Sequence, residues 1–268
     1  MNFMSTPALS RHLDVATRIA HQVGAFQLRH LGRPASIRTK RSSIDLVTEI
    51  DRESERRIYR ALARQFPDHG FYGEEATRAG LDAPFRWVVD PLDGTMNFVH
   101  GVPTFAVSIA LVHQGSVLAG LIYDPTRRET FTARHGAGAR LNGRRIRVSR
   151  TRRLAESLLS TGFSSDFRRN PRPYLHWFKA FQSRCHGVRR IGCTTLSLAY
   201  VACGRQDGFY EQHLWPWDIA AGLLLVEEAG GRVTDFRGHP VQLTVGQVAA
   251  SNGPIHERML ALLSGTPA

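Results

Sequence analysis

Apolar positions in the first part of the chain recur at the spacing of helices. Residues 7–31 carry an apolar side chain every three or four positions, which predicts an amphipathic helix. A targeting peptide is the alternative, but the stretch contains Asp14 and lacks the apolar block of a leader. A second helix is predicted from about Asp51 to Gln65, and residues 36–48 before it read as extended chain or a tight hairpin.

The middle of the chain shows short β-branched runs separated by turns that contain glycine. This pattern predicts strands at residues 86–90, 104–112, 116–123, 129–133 and 145–148. Two helices followed by a run of strands are typical of an α+β unit.

After a basic, polar stretch at residues 149–155 the pattern begins to alternate. Strands are predicted at 157–160, 188–191, 208–211, 232–236 and 247–251. Helices are predicted at 173–182, 194–202, 216–229 and 254–263. This alternation is typical of an α/β unit, so we expect α+β followed by α/β. The domains would be residues 1–149 and residues 150–268, and they would share a cleft.

Composition adds limits on the class of protein. With 268 residues, 42% hydrophobic and 22% charged, the chain is long enough to build a core without disulfides. No apolar run is long enough for a membrane helix, so we expect no membrane contact. Three cysteines (Cys185, Cys193 and Cys203) without a Cys-x-x-Cys pair favour neither disulfides nor zinc, and we expect a cytoplasmic protein.

Charge is concentrated in one basic segment, residues 137–190. It holds 14 arginines and lysines against two acids, Glu156 and Asp166, and so accounts for the whole net charge of +12. Such a surface attracts polyanions or anionic substrates. An arginine-rich surface that meets only solvent has the same composition, so both interpretations stay open.

Against this basic background, acidic residues gather at four places. They are residues 45–51, Gly73–Glu75, Asp90–Thr95 and Trp215–Asp218. A strand would end at Asp90, where Pro91 turns the chain, and Asp93-Gly94 is a turn dipeptide.

The segment from Asp90 to Thr95 offers ligands for a hard cation. Two carboxylates flank the carbonyl of Leu92, and Mg²⁺ prefers oxygen ligands of this kind. Gly94 allows close approach of the backbone, and the amides of Gly94 and Thr95 are suited to hold a phosphate. A plain surface turn is the alternative here.

Asp218 has a simpler alternative role. It falls in the first turn of a predicted helix, where the helix dipole stabilises a carboxylate without any ligand. However, several carboxylates at the ends of elements repel one another unless a divalent ion joins them. The combination therefore favours a metal site.

These motifs resemble those of the inositol monophosphatase family, within the Mg²⁺-dependent, Li⁺-sensitive phosphatases that include fructose-1,6-bisphosphatase. The matching segments are residues 45–51, Gly73–Glu75, Trp87–Phe98 and Trp217–Gly231. The bacterial SuhB branch is most similar, on Ser160–Phe163, Arg189–Gly192, Leu198–Ala202 and Asp207–Glu211. The resemblance implies a layered α-β-α-β-α sandwich of the inositol monophosphatase and fructose-1,6-bisphosphatase type.

The resemblance also implies roles for individual residues. The Mg²⁺ ligands, for two or three ions, would be Glu74, Asp90, the carbonyl of Leu92, Asp93 and Asp218. Thr95 and Glu74 would activate the attacking water, and Asp51 would accept a hydrogen bond from Thr95. The substrate contacts would be Leu92, Asp93, Gly94, Thr95, Arg189, Gly192, Cys193, Thr194, Glu211 and Asp218. Lys40 would be a basic residue near the site.

Some positions depart from the family's pattern. Met96 stands where many members have a second threonine, and the loop between Glu75 and Trp87 looks short. Cys193 and Thr194 replace small residues, which leaves the substrate preference open.

The expected function is Mg²⁺-dependent hydrolysis of inositol 1-phosphate or a related sugar or polyol phosphate, with inhibition by Li⁺. Nucleotide-handling relatives usually carry Lys-Glu after the Gly-Thr pair, where this chain has Met96-Asn97. The alternative, implied by the SuhB branch, is a protein that binds RNA or the transcription machinery in antitermination through the basic segment. The family is commonly dimeric, which implies a homodimer.

Overall fold

The computed structural model describes residues 6–39 and 46–265. The helices in these ranges are α1 (Thr6–Leu28), α2 (Glu49–Gln65), α3 (Thr95–Val99), α4 (Arg172–Gln182), α5 (Thr194–Ala202), α6 (Pro216–Glu228) and α7 (His256–Leu263). The first strands are β1 (Ile37–Thr39), β2 (Leu46–Thr48), β3 (Gly70–Gly73), β4 (Arg78–Ala79), β5 (Phe85–Asp93), β6 (Ala106–His113), β7 (Ser116–Asp124), β8 (Glu129–Arg134), β9 (Gly138–Leu141) and β10 (Arg144–Arg145). The later strands are β11 (Leu158–Thr161), β12 (Gly187–Arg189), β13 (Gly208–Leu214), β14 (Arg232–Thr234) and β15 (Gly246–Ser251).

The first half builds an eight-stranded sheet in the order β10-β9-β8-β7-β6-β5-β3-β4. Successive side chains of β5 alternate between its two faces. Trp87 and Val89 pack with α1 and α2, whereas Val88 packs on the other side with α5 and α6. Both faces of this sheet are therefore covered.

Helix α2 is fixed at its start by a reciprocal cap. The Thr48 backbone N–H donates to Asp51 Oδ2 over 2.9 Å, while Thr48 Oγ1 accepts from the backbone N–H of Ile50 and Asp51. Ile58 and Leu62 on its inner face are buried against the sheet. This cap places Asp51 inside the protein rather than on its surface.

The second half builds a five-stranded sheet in the order β12-β11-β13-β15-β14. Strand β11 runs parallel to β12 and β13, whereas β15 is antiparallel to its neighbours. Helices α4 and α7 cover its outer face, where Trp177 and Met259 pack against Leu159 and Tyr210.

Helices α5 and α6 form a layer between the two sheets. Helix α6 is apolar nearly all round, because it buries side chains such as Ile219 and Val226 in a core shared with both sheets. The order α1/α2, sheet, α5/α6, sheet, α4/α7 is the layered α-β-α-β-α sandwich, and that prediction is confirmed. The division at residues 149 and 150 stays a prediction.

Several predicted elements differ from those observed. Strands β3, β4 and β9 were not predicted, because each is short and β3 and β9 contain or adjoin glycines that read as turns. The strand predicted at 145–148 is wrong: β10 ends at Arg145, and the Val148 N–H donates to the carbonyl of Ala229. The extended segment at 36–48 is a pair, β1 and β2, whose intervening residues 40–45 lie outside the described residues.

Within the described ranges, no helix combines the length and apolarity needed to cross a membrane.

Close contact between β7 and α6 depends on Gly120. A Cβ at this position would lie 3.0 Å from the Cα and carbonyl oxygen of Ala221. We expect Gly120→Ala to lower the free energy of unfolding by about 1–3 kcal/mol, because backbone atoms would have to move apart. Urea unfolding measures the change.

The matched control is Gly246→Ala in β15. There the nearest atom to an added Cβ is the Thr244 carbonyl oxygen at 3.8 Å, an ordinary contact. We expect a change within about 0.5 kcal/mol. Equal effects of the two substitutions would contradict the packing argument.

Candidate functional site

Acidic side chains gather where β3 and β5 end, because these neighbouring strands run parallel. Gly73 is in register with Val89, and the Glu74 N–H donates to the Val89 carbonyl over 3.1 Å. Asp90 follows Val89 directly, so Glu74 and Asp90 emerge side by side. The pairing of β5 with β6 then shifts register between Asp90 and Asp93, which opens the turn at Pro91.

The turn after Asp90 is held from two sides. Asp90 is 1% exposed, and its Oδ1 accepts from the Leu92 N–H over 3.0 Å. The buried Gln27 side chain of α1 donates to the Pro91 carbonyl over 2.7 Å. The backbone of this turn is therefore held by one local side chain and by one from α1 that is distant in sequence.

Thr95 and the buried Asp51 form a hydrogen-bonded pair at this turn. Thr95 Oγ1 donates to Asp51 Oδ1 over 2.9 Å and also lies 3.2 Å from the Leu92 carbonyl oxygen. The pKa of Asp51 is raised to about 6. Burial is the largest cause, the hydrogen bonds from Thr48 and Thr95 oppose it, and the charge of Glu74 adds to it. Because its proton is directed to Asp51, the Thr95 oxygen presents lone pairs to a further donor.

The loop that carries Glu74 is held by Glu55 of α2. The Glu55 carboxylate is 2% exposed and accepts from the N–H groups of Glu75, Ala76 and Thr77 over 2.8–3.0 Å. A side chain at Gly73 would collide with this carboxylate. Glu55 thus positions the loop without facing the site itself.

Asp90, Asp93 and Asp218 form an acidic group with Glu74, in which Asp90 is buried and the other three are half-buried. Burial is the largest cause of a raised pKa in each of the three aspartates. The charge of Glu74 raises the pKa of Asp90 and Asp218 further, and Glu74 is also hydrogen-bonded to Asp90. Carboxylates held this close repel one another strongly when ionised.

Asp93 and Asp218 each use one oxygen to hold a helix start. Asp93 Oδ2 accepts from the Thr195 N–H over 2.6 Å and from Thr195 Oγ1 over 2.7 Å. The Cys193 thiol donates to the same oxygen over 3.1 Å. Asp218 Oδ2 accepts from the Trp215 N–H over 2.7 Å at the start of α6.

Gly94 has the backbone conformation that its position in the motif predicts. Its φ of +94° favours glycine, and an added Cβ would lie 3.0 Å from the Thr104 carbonyl oxygen. Gly94 is followed by α3, which begins at Thr95. The N–H groups at the start of a helix have no acceptor within the helix and are directed outward.

A cleft opens over these groups in two adjoining lobes of about 250 and 220 Å³. Glu74 and Asp218 line the first lobe, and Asp93, Gly192 and Cys193 line the second. Both lobes share Met96, Phe163, Arg190, Thr194 and Glu211. Met96 is 40% exposed here, at the position that departs from the family's pattern.

Glu211 on β13 forms the far wall of the cleft. Thr194 Oγ1 donates to Glu211 Oε2 over 3.1 Å, and a side chain at Gly162 would collide with this carboxylate. The pKa of Glu211 is raised to about 8. Burial is the largest cause, the hydrogen bond from Thr194 and the charge of Arg190 oppose it, and the charge of Asp93 adds to it.

The turn at Gly192 is locked by Asn97. The Asn97 side-chain amide donates to the carbonyls of Thr104 and Ile191 over 2.9 Å each, and Gly192 has a φ of +73°. Asn97, Glu55, Gln27 and Thr195 were not among the predicted site residues. Asn97 lies within the matching segment Trp87–Phe98 and Thr195 adjoins Thr194, which is the one signal that could have indicated these two.

Most of the predicted site residues lie around this cleft. Arg189 is the exception: it lies exposed on β12, whereas its neighbour Arg190 lines both lobes and stacks over Phe163 at 5.3 Å. Lys40 and Asp45 lie outside the described residues.

The donor set fits Mg²⁺, which takes carboxylate and carbonyl oxygens together with water and substrate phosphate. In residues 6–39 and 46–265, no three His, Cys, Asp or Glu side chains already form a group that could hold a metal ion. The hydrogen bonds are consistent with this: Glu74 is bonded to Asp90, and Asp93 Oδ2 faces Thr195. Mg²⁺ commonly uses only one or two protein carboxylates, so the buried acids still suit it.

Comparison with known proteins identifies the family. Residues 8–267 match the inositol monophosphatase family. Over 259 residues the chain is 44% identical to a Pseudomonas aeruginosa protein named Nus factor SuhB, covering 94% of this chain and 95% of that protein. It is 41% identical over 260 residues to a Synechocystis protein named inositol-1-monophosphatase, covering 97% of this chain and 91% of that protein.

A solved structure supports the same assignment. The inositol monophosphatase from Anabaena superimposes with a TM-score of 0.88 at 39% identity, covering 97% of this chain and 98% of that one. The resemblance inferred from the acidic motifs is thus confirmed. The chain belongs to the inositol monophosphatase family, whose members are phosphatases.

Proposed function

We propose that this protein is a Mg²⁺-dependent phosphomonoesterase for inositol 1-phosphate or a related sugar or polyol phosphate. The observation that carries the proposal is that the acidic group of Asp90, Asp93 and Asp218 meets the Thr95–Asp51 pair beside one cleft. The family assignment and the name of the Synechocystis relative support the substrate class.

Glu74, Asp90, the Leu92 carbonyl, Asp93 and Asp218 would hold the metal. When bound, Mg²⁺ supplies positive charge for the phosphate oxygens and lowers the pKa of a coordinated water. A set of two or three ions, and inhibition by Li⁺, follow from the family resemblance and are part of the proposal.

Thr95 and Glu74 would orient and deprotonate the attacking water. Since the Thr95 hydroxyl donates to Asp51, its oxygen is left to accept a hydrogen bond from that water. Glu74 lines the same lobe of the cleft and would take the proton as general base. Because water is the attacking group, neither Thr95 nor Glu74 would form a covalent bond to phosphorus.

The Gly94 and Thr95 amides would hold the phosphate. Attack in line with the leaving oxygen spreads charge over the three equatorial oxygens, and outward N–H groups at the start of α3 suit that charge. The left-handed φ of Gly94 brings the backbone close to a bound group.

Glu211 and Thr194 would select the alcohol part of the substrate. A polyol presents hydroxyls that donate to a carboxylate, and Glu211 is held in place by Thr194 at the far wall. Gly192 and Cys193 line the same lobe. Arg190, rather than Arg189, offers the positive charge at this wall.

A second candidate function is RNA binding, within or beside antitermination complexes. Every arginine and lysine of the basic segment is exposed, which suits a polyanion. The relative from Pseudomonas aeruginosa bears the name Nus factor, which supports the same idea. A phosphatase site and a basic outer surface are compatible in one protein.

Two further features belong to the proposal. A homodimer follows from the family resemblance. A reducing compartment such as the cytoplasm is supported by the free thiols of Cys185, Cys193 and Cys203.

Replacing Asp93 tests the metal site. We expect Asp93→Asn to reduce Mg²⁺-dependent phosphate release from inositol 1-phosphate to background, because a neutral amide is a poor Mg²⁺ ligand. Thr195 still finds an acceptor in Asn, so the fold should persist. Wild-type release should fall when Li⁺ is added. Asp14→Asn, at an exposed position of α1, is the control, and wild-type turnover by Asp93→Asn would refute the proposal.

Glu211 makes the stability of the metal-free protein depend on pH. Its pKa is about 8 when folded and near 4.5 otherwise, so between these values the folded protein holds the extra proton. Stability is therefore lost as pH rises from about 5 to about 8. We expect Glu211→Gln to reduce this loss in urea unfolding with a chelator present, while the raised pKa of Asp51 retains the part below about pH 6.

The control for this pH experiment is Glu156→Gln. Arg153 lowers the pKa of the exposed Glu156, so its titration lies below the tested range. The dependence of the free energy of unfolding on pH should be the same in Glu156→Gln as in the wild type. An unchanged slope in Glu211→Gln would show that Glu211 does not carry the effect.

A gel-shift assay with RNA tests the second candidate. If the basic segment binds RNA, affinity should fall steeply between about 50 and about 200 mM salt, because phosphate contacts release counterions. Replacing Arg144, Arg145 and Arg147 with serine should weaken binding and reduce the salt slope.

The control replaces three exposed arginines outside the segment, Arg18, Arg29 and Arg33, with serine. Equal losses of RNA affinity in both triple variants would indicate attraction by the overall positive charge rather than a binding site on the basic segment. No shift at low salt would exclude RNA binding.

A further inference from the structure

Thr195 meets Asp93 across the boundary between the two halves of the protein. Asp93 ends β5 of the first sheet, and Thr195 lies in the first turn of α5, 102 residues later. Its backbone N–H and its hydroxyl lie 2.6 and 2.7 Å from the same oxygen, Asp93 Oδ2. Thr195 is completely buried.

These donors fill one oxygen of the carboxylate. An ionised carboxylate oxygen offers about two lone pairs, and Oδ2 already accepts two short hydrogen bonds from Thr195 and a longer one from the Cys193 thiol. Short N–H and O–H bonds to a carboxylate are strong, charge-assisted bonds. Oδ1 is therefore the Asp93 oxygen that is left for a ligand.

We propose that the Thr195 hydroxyl is a positioning group that turns Asp93 so that Oδ1 alone is presented to a bound metal ion. The inference rests on the proposed function, because it concerns the metal that the acidic group would hold. Thr195 would not contact the metal or the substrate. It would act through its hydrogen bonds to Asp93.

The hydroxyl is the part of Thr195 whose contribution depends on the identity of the side chain. Any residue except proline would supply the backbone N–H at this position, whereas the second donor is the hydroxyl of the threonine side chain. The neighbouring Thr194 has a parallel arrangement, since its hydroxyl donates to Glu211 over 3.1 Å. The first turn of α5 thus restrains two acids of the cleft that come from different sheets.

A group that orients a metal ligand typically changes metal affinity by about 10–100-fold when it is removed. Because the backbone N–H and the Cys193 thiol remain, we expect the low end of this range. Loss of the hydroxyl should weaken metal binding about tenfold. Turnover at saturating metal should fall less than the affinity does.

The test measures binding of Mn²⁺ alone, as a spectroscopic substitute for Mg²⁺, from the electron paramagnetic resonance signal of the free ion. Thr195→Val keeps the shape of the side chain and removes the hydroxyl, whereas Thr195→Ser keeps the hydroxyl. We expect Thr195→Val to bind Mn²⁺ about tenfold more weakly and Thr195→Ser to bind it like the wild type.

Thr130→Val is the control for loss of a buried threonine hydroxyl. Thr130 is 8% exposed, lies on β8 and is hydrogen-bonded to His21 over 2.8 Å. The Thr130→Val substitution should lower the free energy of unfolding without changing the affinity for Mn²⁺. If Thr195→Val fails to fold, Thr195→Ala serves as the variant without a hydroxyl.

The outcomes separate the two proposals. Wild-type Mn²⁺ affinity in a folded Thr195→Val or Thr195→Ala protein would overturn the positioning role. Weak binding by Thr195→Ser as well would also overturn it, since the hydroxyl would then not be the cause. If neither the wild type nor Asp93→Asn binds Mn²⁺, the proposed metal-dependent function itself fails.

Discussion

Asp90, Asp93 and Asp218 lie beside one another, Asp90 buried and the other two half-buried, and the surrounding structure has to offset their repulsion. Each carboxylate accepts a hydrogen bond from a backbone N–H: Leu92 donates to Asp90, Thr195 to Asp93 and Trp215 to Asp218. Asp51 follows the same rule with the N–H of Thr48. One oxygen of each carboxylate is thus engaged, which limits the directions in which the other can point. These hydrogen bonds orient the carboxylates without a bound ion.

This arrangement explains why the site lies where three layers meet. Helices α2, α5 and α6 all begin near the cleft, and an aspartate accepts from an N–H at each of these starts. A carboxylate at a helix N-terminus is also favoured by the helix dipole. The interpretation of Asp218 as a helix-stabilising acid and its proposed metal role are therefore compatible, because they use different oxygens. The same holds for Asp93, which caps α5 from the other half of the chain.

The sequence indicated the acids of the site and the order of most elements. Asp90, Asp93 and Gly94 stand in a motif whose strand end, proline and glycine have local physical causes. The residues that support the site could not be predicted from the sequence. Glu55 and Gln27 are ordinary helix residues by pattern, and their partners lie many positions away. Thr195 is a threonine at the start of a helix until its contact with Asp93 is seen.

Short elements and glycines account for the errors in the fold. Strand β3 has a glycine at each end, which resembles a turn, yet a neighbouring parallel strand keeps it extended. The segment after Arg145 has strand-like residues but instead contacts Ala229 of the second half. In both cases a partner far along the chain overrides the local preference.

Helix α6 has a consequence for synthesis on the ribosome. The inner face of the eight-stranded sheet packs against residues 216–228, which are made after every strand of that sheet. Until Glu228 has left the exit tunnel, the growing chain carries Val88, Ala110 and Ile122 without the part of their cover that α6 supplies. Nascent chains of this length would be clients for chaperones that hold apolar surfaces, and premature termination before α6 would yield an aggregating fragment.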